Sequence, residues 1–284
     1  MSRPTRFVLT ADDFALTPGV SAGILDLLEA GSLSAAGAMT NRPHWRNNAP
    51  AFAQFAGTAD LGLHFNLTCG APLTRMKRLA PAGALPKLAA LISGGVAGRL
   101  PLDEIAAELE AQIDAFQQAM GRPPDFIDGH QHAHALPGVR RALAQVLPRR
   151  FPDAKPYLRN PADRLAAIRA RGRHSAKAAL LASLARPFAP RMRALGFAVN
   201  EGFSGYSRFN ARTDYGRDFA SYLIAPGPRP LVMCHPGFVD DELRGLDPAT
   251  DSREAEMGFF LSSRFVEICA AAGLAPARFS ELAP

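Results

Sequence analysis

The chain has 284 residues, 48% hydrophobic and 20% charged, with a net charge of +6; this is ample material for a core and excludes a disordered chain. Its three cysteines, Cys69, Cys234 and Cys269, form no CxxC pair, which argues against a disulfide framework and for a reducing compartment. The N-terminal apolar run is too short for a signal peptide, and the most apolar later stretch, "AALLASLA" at 178–185, is far short of a membrane span, so a cytoplasmic protein is expected.

In chain order, "RFVLTA" (6–11) is β-rich and stops at Asp12-Asp13. "TPGVSAGILDLLEAG" follows with Thr17 as N-cap, Pro18 in the first turn, and Val20, Ile24, Leu27 and Leu28 at helical spacing before Gly31. "SLSAAGAMT" (32–40) predicts a strand, 46–56 a helix, and "ADLGLHFNLT" (59–68) a further strand. Strand and helix thus alternate twice, the pattern of parallel strands with helical crossovers. Residues 69–101 read as a Gly- and Pro-rich loop insertion of weak periodicity. In "LDEIAAELEAQIDAFQQAMG", Ile105, Leu109, Ile113, Phe116 and Met120 make one apolar stripe closed by Gly121.

"DFIDG" (125–129) predicts a strand running into "HQHAH", and 138–147 a helix. "AKPYLRN" (154–160) suggests a strand, and a basic helical segment extends over about 159–195. "GFSGYSRFN" (202–210) reads as an aromatic loop, "RPLVMCHPG" (229–237) as a buried strand ending in His-Pro-Gly, and 252–273 as one long helix. With neither a repeat nor a composition break, residues 1–284 are expected to form a single domain. Between Arg159 and Arg193 nine Lys or Arg face one acid, Asp163. A solvated helix face accounts for such a run, and with no nucleic-acid motif or aromatic interleaving no nucleic-acid partner is expected.

Four predicted strands end in ionisable residues: Asp12-Asp13, His64, His130 with His132 and His134, and His235. Carboxyl ends of parallel strands converge on one face, where active sites lie. Taken singly, Asp12-Asp13 reads equally as a helix cap, and His64 and His235 as core or strand-end histidines. Three histidines in five residues have no comparable structural purpose. Imidazoles with carboxylates suit a divalent metal, which activates water and polarises a carbonyl while nearby groups move protons. Adjacent aspartates point apart on an ideal strand, so both serve one site only where the strand ends and turns. Cys234 adjoins His235 but faces the other way, so no Cys–His nucleophile pair is read. HxH at 130/132 or 132/134 is the amidohydrolase-barrel pattern; HxxxH at 130/134, with an early Asp-Asp, is that of polysaccharide deacetylases and fits better.

"TADDFALTPGVSAGI", "GLHFNLTCGAPL", "FIDGHQHAHALPGV" and "LVMCHPGFVDDE", in this order and spacing, resemble the YdjC/ChbG-type carbohydrate deacetylases, including the hopanoid-associated HpnK branch. The resemblance implies a distorted TIM-like (β/α) barrel that hydrolyses an N-acetyl group from an acetylated amino sugar, chitooligosaccharide-like or lipid-linked. It implies Asp13, His64 and His130 as metal ligands, Asp12 as base, His235 as general acid or oxyanion partner, and His132 and His134 behind the ligands or at substrate. Magnesium is the implied metal, with zinc chemically as reasonable. Arg159 is expected to touch substrate. Ala15 stands where the family reads glycine, a departure that leaves the local turn open. The rival readings are a phosphoesterase or other amidohydrolase on the same cage, or a non-catalytic protein bound to a membrane or polyanion. Peripheral membrane contact through 159–193 and a homodimer are the remaining partner expectations.

Overall fold

The computed structural model describes residues 5–172, 175–207, 214–246, 250 and 252–282. Strand β1 (Thr5–Phe14) is followed by α1 (Pro18–Glu29), β2 (Ala35–Ala38), α2 (Trp45–Ala53), β3 (Asp60–Phe65), α3 (Leu88–Val96) and α4 (Leu102–Met120). Next come β4 (Phe126–Gly129), α5 (Val139–Arg150), β5 (Tyr157–Leu158), α6 (Leu165–Arg171), α7 (Ser175–Ala185), α8 (Phe188–Ala194), β6 (Phe203–Ser204) and α9 (Tyr215–Tyr222). The chain finishes with β7 (Leu231–Cys234), α10 (Asp241–Leu246), α11 (Arg253–Phe260), α12 (Ser263–Ala271) and β8 (Leu274–Pro276).

The strands pair in parallel in the order β5-β4-β3-β2-β1-β7-β6, and β8 pairs with the first residues of β1. Between β5 and β6 the ladder is carried by 198–200: Leu158 bridges Val199, and Asn200 exchanges bonds with the backbone of Asn160. The result is an α/β half-barrel of parallel strands surrounded by helices. Alternation along β1 separates two cores, as the strand period requires. Phe7, Leu9 and Ala11 pack against the helices, while Val8 joins Phe126, Tyr157, Phe203, Leu231 and Met233 inside the barrel. Phe279 closes the N-terminal end of the barrel, its ring 4.0 Å from Tyr157.

Local signals explain most boundaries. The Thr17 hydroxyl accepts the Val20 N–H at 3.3 Å, and Gly121 ends α4 at φ 67°. The expected helix over 252–273 is two helices, broken where Ser262 is extended and its hydroxyl donates to the Phe259 carbonyl at 2.7 Å, a local bond that competes with the helix ladder. Of the basic segment, Arg159 and Arg171 are buried. Arg171 pairs with Asp163 and donates to the carbonyls of Phe203, Ile224 and Ala225, pinning α6 beside β6. Residues 173–174 of that segment and 208–210 of the expected aromatic loop lie outside the described residues.

The stretch 69–101, read as a loop, contains α3 and is tied to α4 through buried polar groups. Glu108, 0% exposed, accepts Leu73 N–H, Thr74 N–H, the Thr74 hydroxyl and Gln112 Nε2 at 2.7–2.9 Å. Gln112 in turn spans the backbone of Asn66. Glu108→Ala strands these donors in a dry site, so about 2–4 kcal/mol of stability should be lost; urea unfolding measures it, and a loss under about 0.5 kcal/mol would contradict this role.

Asp60, at the opposite end of the barrel from the histidines, gives a pH signature. Its carboxylate accepts Phe279 N–H at 2.8 Å, but burial pushes its pKa up to about 6. A carboxyl raised above its unfolded value opposes folding when charged, so stability should rise as pH falls from about 7 to about 4. Raising the carboxyl to about 6 corresponds to roughly 3 kcal/mol over that window. Asp60→Asn should flatten that part of the stability-versus-pH curve, and an unchanged curve would remove Asp60 as its source.

Candidate active site

The predicted strand ends do converge. Asp12, Asp13, His64, His130, His132 and His235 gather at the carboxyl end of the barrel, and all but His235 are at least nine-tenths buried. Two backbone departures bring them together. The β1 strand continues past the aspartates, but its register shifts between Ala11 and Phe14, with Asp13 at φ 74°. This bulge turns both neighbouring carboxylates toward one site, as bulges do near active sites. Two residues on, Ala15 adopts φ 70° while fully buried. The glycine-type turn is therefore kept although alanine occupies it. Leu16 N–H to Asp13 O at 2.9 Å closes the turn, and the Ser21 hydroxyl accepts Ala15 N–H at 3.1 Å.

The second departure is the kinked 3-10 segment His130–Ala135, in which Gln131 and His132 lie at φ 52° and 58°. Left-handed backbone at two consecutive non-glycine residues is strained, and it sends the three imidazoles in different directions. His130 Nδ1 lies 2.8 Å from Asp13 Oδ1. His132 turns its ring edge-on to Phe203 and Tyr206. His134 is 0% exposed and donates from Nε2 to the Arg159 carbonyl at 2.8 Å. Of the two outer histidines, His134 thus lies behind the site.

Across the β3–β4 ladder His64 stands directly beside Asp128. Asp128 Oδ1 accepts the His64 Nδ1 proton at 2.7 Å, leaving Nε2 to face Asp13 Oδ1 at 3.4 Å. A carboxylate behind a histidine in this way fixes the tautomer of a metal ligand. Gly37 makes room: a Cβ there would meet His64 Cβ at 3.2 Å. Asp128 was not among the sequence-derived candidates, although its position two residues before His130 on a strand puts both side chains inward.

Arg159, expected at substrate, is turned into the barrel. It is 0% exposed, and its guanidinium holds Asp12 through both oxygens, Nη1–Oδ2 at 2.6 Å and Nη2–Oδ1 at 2.5 Å. Nη2 also lies 2.5 Å from Asp128 Oδ2. The sequence placed Arg159 correctly at the end of a strand, but the strand points it into the barrel between two carboxylates. His235 Nε2 lies 3.8 Å from Asp12 Oδ2. Its backbone N–H donates to Glu256 at 2.6 Å, and Arg253 donates to Asp13 Oδ2 at 2.7 Å. Both partners come from α11, and no motif in the sequence marks them. Cys234 faces the helix layer, its thiol donating to the Thr10 carbonyl at 3.3 Å, away from His235.

Charge follows this geometry. Burial works against the ionised Asp12, but Arg159, His64 and His235 outweigh it and hold the carboxyl well below its usual range. Burial likewise opposes Asp13, and His130, His64 and Arg253 drive it well below. Burial disfavours protonated His64, yet Asp128 and Asp12 push it up to about 10. Burial, with Arg159 adding repulsion, holds His132 well below its ordinary value, and burial brings His134 down to about 4.

The donors of Asp13, His64 and His130 lie within 4.8 Å of one another. The set fits a divalent cation: two imidazole nitrogens and a carboxylate oxygen, one imidazole preoriented by Asp128. Asp12, His64 and Asp128 form a second such group, but Arg159 already supplies the cation between its carboxylates.

Comparison with known proteins follows the same outline. The family described as YdjC-like protein matches residues 6–271. Proteins described as chitooligosaccharide deacetylases, from Yersinia pestis (strain Pestoides F) and Yersinia pseudotuberculosis serotype O:1b (strain IP 31758), are each 42% identical over 138 residues, 48% of this chain and 53% of theirs. The match therefore spans about half the length of these curated relatives. A crystal structure of a putative cellobiose-phosphate cleavage protein from Enterococcus faecalis V583 superposes with a TM-score of 0.73 at 21% identity, covering 100% of both chains. That similarity is one of fold.

Proposed function

The chain belongs to the YdjC-like protein family, and from this, together with the geometry of its strand ends, we propose that it is a metal-dependent deacetylase of N-acetylated amino sugars. The observation that carries the reading is the placement of Asp12 and His235 Nε2, 3.8 Å apart, beside the Asp13, His64 and His130 donor cluster. Chitooligosaccharide-like substrates are supported by the relatives that share 42% identity over 138 residues.

Asp13, His64 and His130 would hold the ion. When bound, it lends Lewis acidity, polarising an acetyl carbonyl and making water more acidic. Two imidazoles in the set favour a zinc-class ion over magnesium. Arg159 grips both oxygens of Asp12, so this carboxylate is ionised and fixed when it takes a proton from the attacking water. His235 gives a proton to the sugar nitrogen as the C–N bond breaks. The water oxygen ends in acetate and the nitrogen leaves as a free amine, so atoms and protons balance. The His64 Nδ1–H bond to Asp128 keeps the opposite nitrogen directed at the cluster. Neutral His132, with 8% of its surface exposed, is the outer histidine able to meet a substrate.

Acetate and phosphate release, measured on acetylated chitooligosaccharides and on phosphate esters, test the reading. Acetate should appear, vanish with chelator and return with added zinc or magnesium. Phosphate without acetate would establish the phosphoesterase alternative instead.

A lipid-linked sugar is the second reading, favoured by Leu165 and Leu180, 56% and 64% exposed on α6 and α7, among exposed Arg164, Arg169, Arg186 and Arg191. An apolar and basic surface of this kind suits an anionic interface. The protein should then float with anionic vesicles at low salt and be released at high salt; absence of flotation would remove the reading.

A further inference from the structure

Helix α11 enters the site with two buried ionisable side chains that the reaction scheme does not use. Arg253 is 0% exposed and Glu256 is 1% exposed, and their three-residue spacing puts them on one face of the helix. Glu256 accepts the His235 backbone N–H at 2.6 Å, tying α11 to the end of β7. On the other side Phe259 and Phe260 pack edge-on and tilted against Phe219 and Phe265. The helix is thus held from two directions, and its first residue delivers a guanidinium to Asp13 at 2.7 Å.

The two oxygens of Asp13 are consequently divided. Oδ1 faces His130 Nδ1 at 2.8 Å and His64 Nε2 at 3.4 Å, whereas Oδ2 is held by Arg253. Burying a guanidinium is costly unless it is paired, and here its carboxylate partner is a candidate metal ligand. We propose that Arg253 is a positioning residue that restricts Asp13 to ligation through one oxygen, keeping a place at the ion free for water or substrate. The inference rests on the metal-ligand assignment above. Freed from Arg253, Asp13 could turn its second oxygen to the same ion, since carboxylates bind in either mode.

The test titrates cobalt(II), a spectroscopic stand-in for zinc, into the metal-stripped full chain, wild type beside Arg253→Met and Arg253→Lys. Calorimetry reads affinity, and the visible spectrum reads coordination number. Outer partners of metal ligands typically set affinity by about 10–100-fold, so Arg253→Met should shift cobalt affinity by that order and change the spectrum toward higher coordination. Arg253→Lys, which keeps a cationic donor, should recover much of both. A merely structural arginine would lower the melting temperature and leave the spectrum of the folded protein unchanged, and that result in both variants would overturn the proposal. If Arg253→Met does not fold, Arg253→Gln, which also removes the cation, takes its place: a wild-type cobalt spectrum in that folded variant would overturn the proposal. Cobalt binding by a wild type that releases no acetate would sink the deacetylase reading while the spectra still judge Arg253. No cobalt binding would overturn both.

Discussion

Replacing Asp12 with asparagine should lower kcat for acetate release by about 10²–10⁴-fold, the usual weight of a positioned base. The change is nearly isosteric, and Asp13, His64 and His130 are untouched, so affinity for the divalent ion should stay within a few-fold. That combination separates a base from a ligand. Asp12 has both oxygens on Arg159 and its nearest histidine contact at 3.8 Å from His235, whereas Asp13 meets His130 directly. Acetate assays paired with calorimetric metal titration make the distinction. Turnover within a few-fold of wild type would assign the base elsewhere, and loss of metal binding in step with turnover would make Asp12 a ligand.

Arg159→Met should cost more in stability than any other single change considered. Arg159 is fully buried between Asp12 and Asp128, and removing one partner of a buried ionic network leaves uncompensated charge, about 3–5 kcal/mol in comparable cases. His64, which leans on Asp128 through Nδ1, loses part of its orientation at the same time. Lysine should not substitute fully, because a point charge cannot reproduce the two-pronged grip on Asp12. Urea unfolding in metal-free buffer measures the loss without added stabilisation by ligand. A decrease under about 1 kcal/mol would mean that the two carboxylates find other compensation.

The elements legible in the sequence were those governed by local rules. Thr17 with Pro18 predicted the start of α1, and Gly121 the end of α4, because caps depend on a few neighbouring residues. The convergence of Asp12, Asp13, His64, His130 and His235 was legible from parallel topology, since each ends a strand. What escaped depended on tertiary partners. The histidine cluster was placed after a strand, but Gln131 and His132 take left-handed backbone that sends the three rings apart. Arg159 was placed after a strand, but its inward grip on two carboxylates was not legible, because those partners lie 147 residues away and across the adjacent strand. Ala15 showed that a missing glycine does not mean a missing glycine conformation. Glu108 and Gln112 sit among the apolar residues of α4, where periodicity alone gave no reason to expect that they staple the preceding 66–74 segment. Arg253 and Glu256 resemble any exposed helical pair until α11 is packed against β1 and β7.

The most direct measurement of the central claim is acetate release from N,N′-diacetylchitobiose with zinc or magnesium supplied, wild type beside His130→Ala. Release by the wild type, abolished by the substitution together with metal binding, is the predicted result. Equal release by both proteins would separate the activity from the Asp13, His64 and His130 cluster, and no release by a metal-loaded wild type would contradict deacetylation of this substrate.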